Sequence, residues 1–382
     1  MEPQQDRRLA PLSASPRPCV SASLPWVLAA VLALSAGAFA ADETPCVFDG
    51  IERIVAVGDV HGDYEQFLRA LRAAEVIDRN DDWAAGKTHL VQTGDVLDRA
   101  GESRKAMDLL MKLEKQAAKA GGAVHALIGN HEAMVLLDDW RYVHEGEIAA
   151  FGGQDGFRQA MSAKGQYGQW IRRHNTVVQI NGIIFVHGGL EPGLNGKSLQ
   201  EINRSIRQDL AEQNLGGLAM DEYGPLWTRL AATGDADLTA DLEAMLKRRQ
   251  ARMMVVGHTV NKRGIVARAG GRLVMIDVGM SAFYGGRPAA LVVEKGQLYE
   301  ATPGARRKLD LSPATNSTTT KAAANSTNTT TEAAANAANF TNRKTAEAAT
   351  NSADFANFSD PTTLTCLLLM SVGVVRAVRG RC

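Results

Sequence analysis

Five short apolar runs in this chain finish alike: each gives way, beside glycine, to a carboxylate, an amide or an imidazole. Ile54–Val57 leads into Gly58-Asp59-Val60-His61-Gly62, and Thr88–Gln92 into Gly94-Asp95, with Asp98 close behind. Ala123–Ile128 leads into Gly129-Asn130-His131-Glu132. The second arm of Val177–Val186 delivers His187-Gly188-Gly189, and Met253–Val256 ends at Gly257-His258. Apolar, often β-branched runs bounded by glycine read as short buried strands. In open α/β sheets, ligands gather in the crevice outside the carboxyl ends of the strands. The pattern therefore predicts an α/β fold in which these five strand ends share one site.

Between the strands the apolar spacing changes to that of helices. Tyr64–Val76 sets Phe67, Leu68, Leu71 and Ala74 on one face, and Glu102–Ala120 does the same with Met107, Leu110, Met111 and Leu113. Such stripes are core-facing surfaces. Further helices are expected around Leu199–Gln213 and Leu238–Arg249. Asn181-Gly182 between two apolar arms predicts a hairpin. Ile265–Ala269, Arg272–Asp277 and Ala289–Val293 predict a closing run of antiparallel strands, turning at Gly270-Gly271. Trp140–Gln169 is polar, aromatic and glycine-punctuated, and predicts an inserted loop or short-helix region over the site, or equally a peripheral lid.

The strand-end side chains are Asp59, His61, Asp95, Asp98, Asn130, His131, His187 and His258. Carboxylate, amide oxygen and imidazole together suit divalent manganese, iron or zinc. A closed structural zinc site would be rich in sulfur, and no cysteine lies near these residues. The donors are too many for one ion that keeps an open position. Two ions sharing a bridging carboxylate fit them. His89, His125, His144 and His174 lie outside the motifs and are expected to be structural or exposed.

The five blocks, in this order and spacing, are similar to the metallophosphoesterase signature, and more closely to the PPP-type phosphoprotein phosphatases. Asp139-Trp140-Arg141-Tyr142-Val143 and Gly224-Pro225-Leu226-Trp227-Thr228-Arg229 resemble the Shewanella-like, bacterial-type branch. The resemblance covers roughly residues 53–293. It implies the calcineurin-like fold, a four-layer α/β/β/α sandwich of two mixed sheets with the metals at the strand ends. It also implies roles. Asp59 and His61 would bind a first metal, Asp95 would bridge, and Asn130, His187 and His258 would complete a second metal's shell. His131 would protonate the leaving group, oriented by Asp98. Arg99 matches the phosphate-gripping arginine, Arg229 would be the second, and Tyr284 would line the pocket. The implied reaction is one-step hydrolysis of a phosphoprotein monoester, on serine, threonine or tyrosine, by hydroxide that two metals activate. Ala100 departs from the family, which usually has glycine there, and so puts the turn carrying Arg99 in question. The regulatory-subunit-binding features of the eukaryotic relatives are not recognisable. Two other readings are kept: a dinucleoside polyphosphate hydrolase on the same metal core, and a non-catalytic surface protein that kept the fold.

Composition bounds the rest. With 42 basic and 42 acidic side chains the formal net charge is zero, which gives no electrostatic footprint for nucleic acid. Arg7, Arg8 and Arg17, an apolar run from Leu24 to Ala41 and Ala38-Phe39-Ala40 predict a signal peptide over residues 1–40, with an uncleaved anchor as the alternative. A linker is expected over 41–52, with Cys46 alone in it, and the catalytic domain over 53–302. Residues 303–363 turn to Ala, Asn, Thr and Ser, and predict a disordered stalk with glycosylation sequences at Asn316, Asn325, Asn328, Asn339 and Asn357. The last segment, 364–382, has an apolar run from Cys366 to Val375, too short to cross a bilayer as a helix. A glycolipid-anchor signal, a short membrane-associated tail and an incidental tail are the three readings of it. The expected location is the secretory pathway, secreted or attached to the cell surface.

Overall fold

The computed structural model describes residues 44–311. The expected signal peptide, most of the stalk and the C-terminal tail lie outside them. Among the described residues, no helix is long and apolar enough to cross a membrane.

Two six-stranded mixed sheets carry the domain. In chain order the strands are β1 (Val47–Phe48), β2 (Arg53–Val57), β3 (His89–Gln92), β4 (Ala123–Ala126), β5 (Val177–Ile180) and β6 (Ile183–Val186). Then follow β7 (Met253–Val256), β8 (Val266–Arg268), β9 (Leu273–Met275), β10 (Ala290–Glu294), β11 (Gln297–Thr302) and β12 (Ala305–Lys308). One sheet runs β1-β5-β6-β7-β9-β8 and the other β12-β11-β10-β2-β3-β4. Strands β2, β3 and β4 pair in parallel, as do β6, β7 and β9. The site residues thus follow the carboxyl ends of two parallel triplets, one in each sheet.

Helices α1 (Tyr64–Ala73), α2 (Ser103–Ala120) and α3 (Asn130–Leu136) follow β2, β3 and β4. Their buried stripes, Phe67, Leu68 and Leu71 on α1 and Met107, Leu110 and Leu113 on α2, join one apolar cluster with residues of both sheets. Burying side chains of this size contributes about 1.5–3 kcal/mol each. The stretch after α3 forms three short helices: α4 (Glu145–Ala150), α5 (Gln154–Met161) and α6 (Gln166–Arg172). Helices α7 (Leu199–Glu212) and α8 (Asp235–Arg248) complete the set of α-helices among the described residues. A capping box, Ser198 with Glu201, starts α7. The predicted hairpin is β5–β6, and both Asn181 (φ 51°) and Gly182 (φ 70°) have the left-handed backbone that a type I′ turn needs.

The structure differs from expectation in three places. The stretch expected as a linker contains β1, which pairs in parallel with β5 through Val47↔Gln179 and Phe48↔Ile180. Cys46 is therefore buried inside the fold, its Sγ donating to Gln200 Oε1 at 2.9 Å. At the other end the sheet continues past Thr302 into β12, and the Leu309 N–H bonds to the Leu298 carbonyl. The closing strands are not one antiparallel run either. Only β8 and β9 pair that way, while β9 lies parallel to β7 and β10 crosses to the other sheet, antiparallel to β2.

Candidate metal centre

The two parallel triplets come together where Gly58 meets the end of β9. A Cβ built on Gly58 would stand 2.6 Å from the Ile276 carbonyl oxygen, so only glycine lets the two sheets approach there. Beyond this point Asp59, His61, Asp95, Asn130, His187 and His258 are all buried. The Asp95 carboxylate is their meeting point. Its Oδ2 lies 3.3 Å from His187 Nε2, 3.7 Å from His61 Nε2 and 3.8 Å from His131 Nε2. Asp59 Oδ2 is 3.9 Å from His61 Nε2, and the His258 backbone N–H donates to both Asp59 oxygens at 3.1 Å.

The site is built from strained turns. His61, Asp95, Asp98, Arg99 and His258 are non-glycine residues with φ between 47° and 72°. Such conformations cost on the order of 1–3 kcal/mol each and cluster where function needs them. Much of the restraint comes from Glu132 on α3. Its carboxylate accepts backbone N–H groups from Gly129 (2.8 Å), Asp95 (2.7 Å), Val96 (2.8 Å) and Leu97 (3.2 Å). Ala100 keeps an ordinary negative φ, so the family's usual glycine is not required there.

Backbone carbonyls set the imidazole tautomers. His61 Nδ1 faces the Leu97 carbonyl at 3.1 Å, His187 Nδ1 the Thr93 carbonyl at 3.0 Å and His258 Nε2 the Trp227 carbonyl at 3.1 Å. Each of those nitrogens must carry hydrogen to donate, so in the neutral ring that binds a metal the other nitrogen is a lone pair. His187 Nε2 then confronts His258 Nδ1 at 3.1 Å, Asn130 Oδ1 at 2.8 Å and the Asp95 carboxylate. Acceptor faces acceptor here, and a cation resolves the conflict. The donor set fits divalent metal ions. Groups able to hold one are His61, Asp95 and His131 on one side and Asp95, His187 and His258 on the other, so the carboxylate shared by both is that of Asp95.

Electrostatics agrees. Burial alone would raise the Asp95 carboxyl, but His187, His131 and His61 hold it well below the usual carboxylate range. Asp59 is raised by burial and by the neighbouring Asp277. Burial would depress His187, yet Asp95 and Asp59 push it up to about 9.

The expected acid lies beside this cluster. His131 Nδ1 is 2.6 Å from Asp98 Oδ2, and both residues are buried. Burial would lower His131, but Asp95 and the bond to Asp98 raise it. Arg99 stands at the edge with its guanidinium 4.0 Å from the Tyr142 ring centre and 5.1 Å from that of Phe283. Arg229 Nη1 donates to the His258 carbonyl at 3.0 Å, which places it on the opposite side. The Tyr284 ring lies 5.3 Å from that of His61. Asp63 caps α1 and also accepts the Ala282 N–H at 2.8 Å, tying the Tyr284 loop to the first motif. All eleven predicted site residues therefore belong to one neighbourhood. The other histidines do not: His89 and His125 pair at 3.0 Å against Phe48, His144 caps α4, and His174 lies 3.4 Å from Glu114.

Residues 52–262 match the calcineurin-like phosphoesterase family. The chain belongs to that family. It is 31% identical over 246 residues to Shewanella-like protein phosphatase 1 of Plasmodium berghei, covering 60% of this chain and 68% of that protein. It is 30% identical over 289 residues to Shewanella-like protein phosphatase 2 of Arabidopsis thaliana, covering 61% of this chain and 73% of that one. Among solved structures, the cold-active protein-tyrosine phosphatase of a psychrophilic Shewanella superposes with a TM-score of 0.63 at 28% identity, over 70% of this chain and 83% of the other. This calcineurin-like phosphoesterase is a metal-dependent phosphatase of the PPP type, which sets aside the reading of a non-catalytic scaffold.

Proposed function

We propose that the enzyme hydrolyses phosphate monoesters on proteins, and that phosphotyrosine is its preferred side chain. The observation that carries the preference is the aromatic mouth: Arg99 lies against both Tyr142, half-buried, and Phe283, a residue 59% exposed. A phosphate gripped by Arg99 projects its ester arm past these rings. A flat phenol ring stacks there, and an alkyl arm gains little. The name of the Shewanella neighbour supports the same reading.

Asp59, His61 and Asp95 would hold one cation, and Asp95, Asn130, His187 and His258 the other. Bound there, the two cations neutralise phosphate charge and acidify a water. Arg99 and Arg229 would grip phosphate oxygens, for which a planar guanidinium is well matched. His131 Nε2 would donate the proton that the leaving oxygen needs, while Asp98 holds Nδ1–H and so fixes the ring. Manganese, iron and zinc all satisfy these donors.

Steady-state kinetics on matched phosphotyrosine and phosphoserine peptides and on diadenosine tetraphosphate test the proposal. The expected order puts phosphotyrosine first, with Phe283→Ala lowering its kcat/KM by roughly 3–10-fold, as for loss of one aromatic pair. Equal losses on both peptides would remove the stacking argument. A faster rate on the dinucleotide would favour the polyphosphate hydrolase.

The reading also places the enzyme in the secretory pathway, supported by the basic, apolar and Ala-x-Ala succession before Ala41 and by the five glycosylation sequences of the stalk. N-terminal sequencing of the exported protein should begin at Ala41. A mature chain beginning at Met1 would contradict export by cleavage.

A further inference from the structure

Asp98 and Arg99 are consecutive non-glycine residues with φ of 72° and 69°. Two adjacent left-handed residues persist only where their surroundings over-determine them. Here much of the restraint comes from the insertion between α3 and β5. The Arg99 N–H donates to the Tyr142 carbonyl at 3.1 Å, and the Arg99 guanidinium lies over the ring of the same tyrosine. Glu147 on α4 is fully buried and faces the Asp98 backbone N–H. Glu147 Oε2 accepts from the Ser103 hydroxyl, at the start of α2, at 2.7 Å. Glu147 Oε1 and Asp98 Oδ1 are both buried without a hydrogen-bond partner.

A buried carboxylate without a cation is costly. Burial, and then the charge of Asp98, push the Glu147 carboxyl up to about 8, so it is neutral at pH 7. An acid retained at that cost behind Asp98 calls for a role. We propose that Glu147 is a positioning residue for the general acid: it fixes the Asp98 turn and, through Asp98, the orientation of the His131 ring. The proposal rests on the role given to His131 above. It assigns the inserted helices a part in the chemistry beyond covering the site.

Leaving groups of unequal basicity test it on the full-length chain. Phenoxide needs a proton as it departs, and p-nitrophenoxide hardly does. Wild type, His131→Asn, Glu147→Ala and Glu147→Gln are compared on phenyl phosphate and p-nitrophenyl phosphate. Glu147→Ala is expected to lose roughly tenfold in kcat on phenyl phosphate and less than about twofold on the nitrophenyl ester, with KM unchanged, as befits a partly misoriented acid. Glu147→Gln, similar in shape to the neutral acid, should recover most of the loss. Equal losses on the two esters, or no loss, would overturn the proposal and leave Glu147 as a tie between α4 and α2. If His131→Asn itself shows no such asymmetry, the acid role fails and this inference goes with it.

Discussion

Asp95→Asn is expected to remove the metal centre while leaving the fold, and to lower kcat/KM by at least about 10⁴-fold, or roughly 5 kcal/mol of transition-state stabilisation. The size follows from position. The Asp95 carboxylate is the group that His61, His131 and His187 all face, between 3.3 and 3.8 Å away. An amide of the same shape carries no charge and cannot bridge two cations. The turn itself should survive, because its Asp95, Val96 and Leu97 N–H groups are held by Glu132. The His131 N–H, now 3.0 Å from Asp95 Oδ1, would find the amide oxygen of asparagine in its place. Metal content by mass spectrometry, read beside kcat/KM, checks this. A variant that keeps both metals and loses less than tenfold would show that Asp95 does not bridge.

His131→Asn should behave differently. It is expected to keep its metals and lose about 10²–10⁴-fold in kcat on phosphopeptides, the range for removal of a positioned acid. The ring now sits at 2.6 Å from Asp98 through Nδ1 and 3.8 Å from Asp95 through Nε2. Asparagine can reach Asp98 but cannot relay a proton toward the cluster. Parallel loss of metal would mean that His131 acts as a ligand, since its Nε2 is near enough to Asp95 and His61 to belong to one cation-holding group. The two substitutions therefore separate binding from proton transfer.

What the sequence makes legible is whatever has a local signature. Asp59, His61, Asp95, Asn130, His131, His187 and His258 have one: each follows an apolar strand within two residues of a glycine, and the tight turns there leave few alternatives. Glu147 has no such signature: it lies in a polar stretch with no period, and only the tertiary structure buries it against Ser103. Glu132 was visible inside Gly129-Asn130-His131-Glu132, but its grip on four backbone N–H groups spans 37 residues of chain and leaves no local trace. Phe283 reads as an incidental aromatic until Arg99 is placed beneath it. The strands at the sheet edges are equally silent in the sequence. Strand β1 is two residues long, too short to show a period, and β12 is exposed and basic, as suits a sheet edge. Strand β10 follows β9 in the chain, and adjacency in the chain is the usual guide to pairing, but here the chain crosses between sheets.

The most direct measurement is cation stoichiometry tied to turnover. The purified enzyme is stripped with a chelator and titrated with manganese while bound metal and kcat are followed together. Two cations per chain, with activity rising only as the second binds, is the expected result. Full turnover with a single cation, or with none, would contradict a shared pair of metals at Asp95.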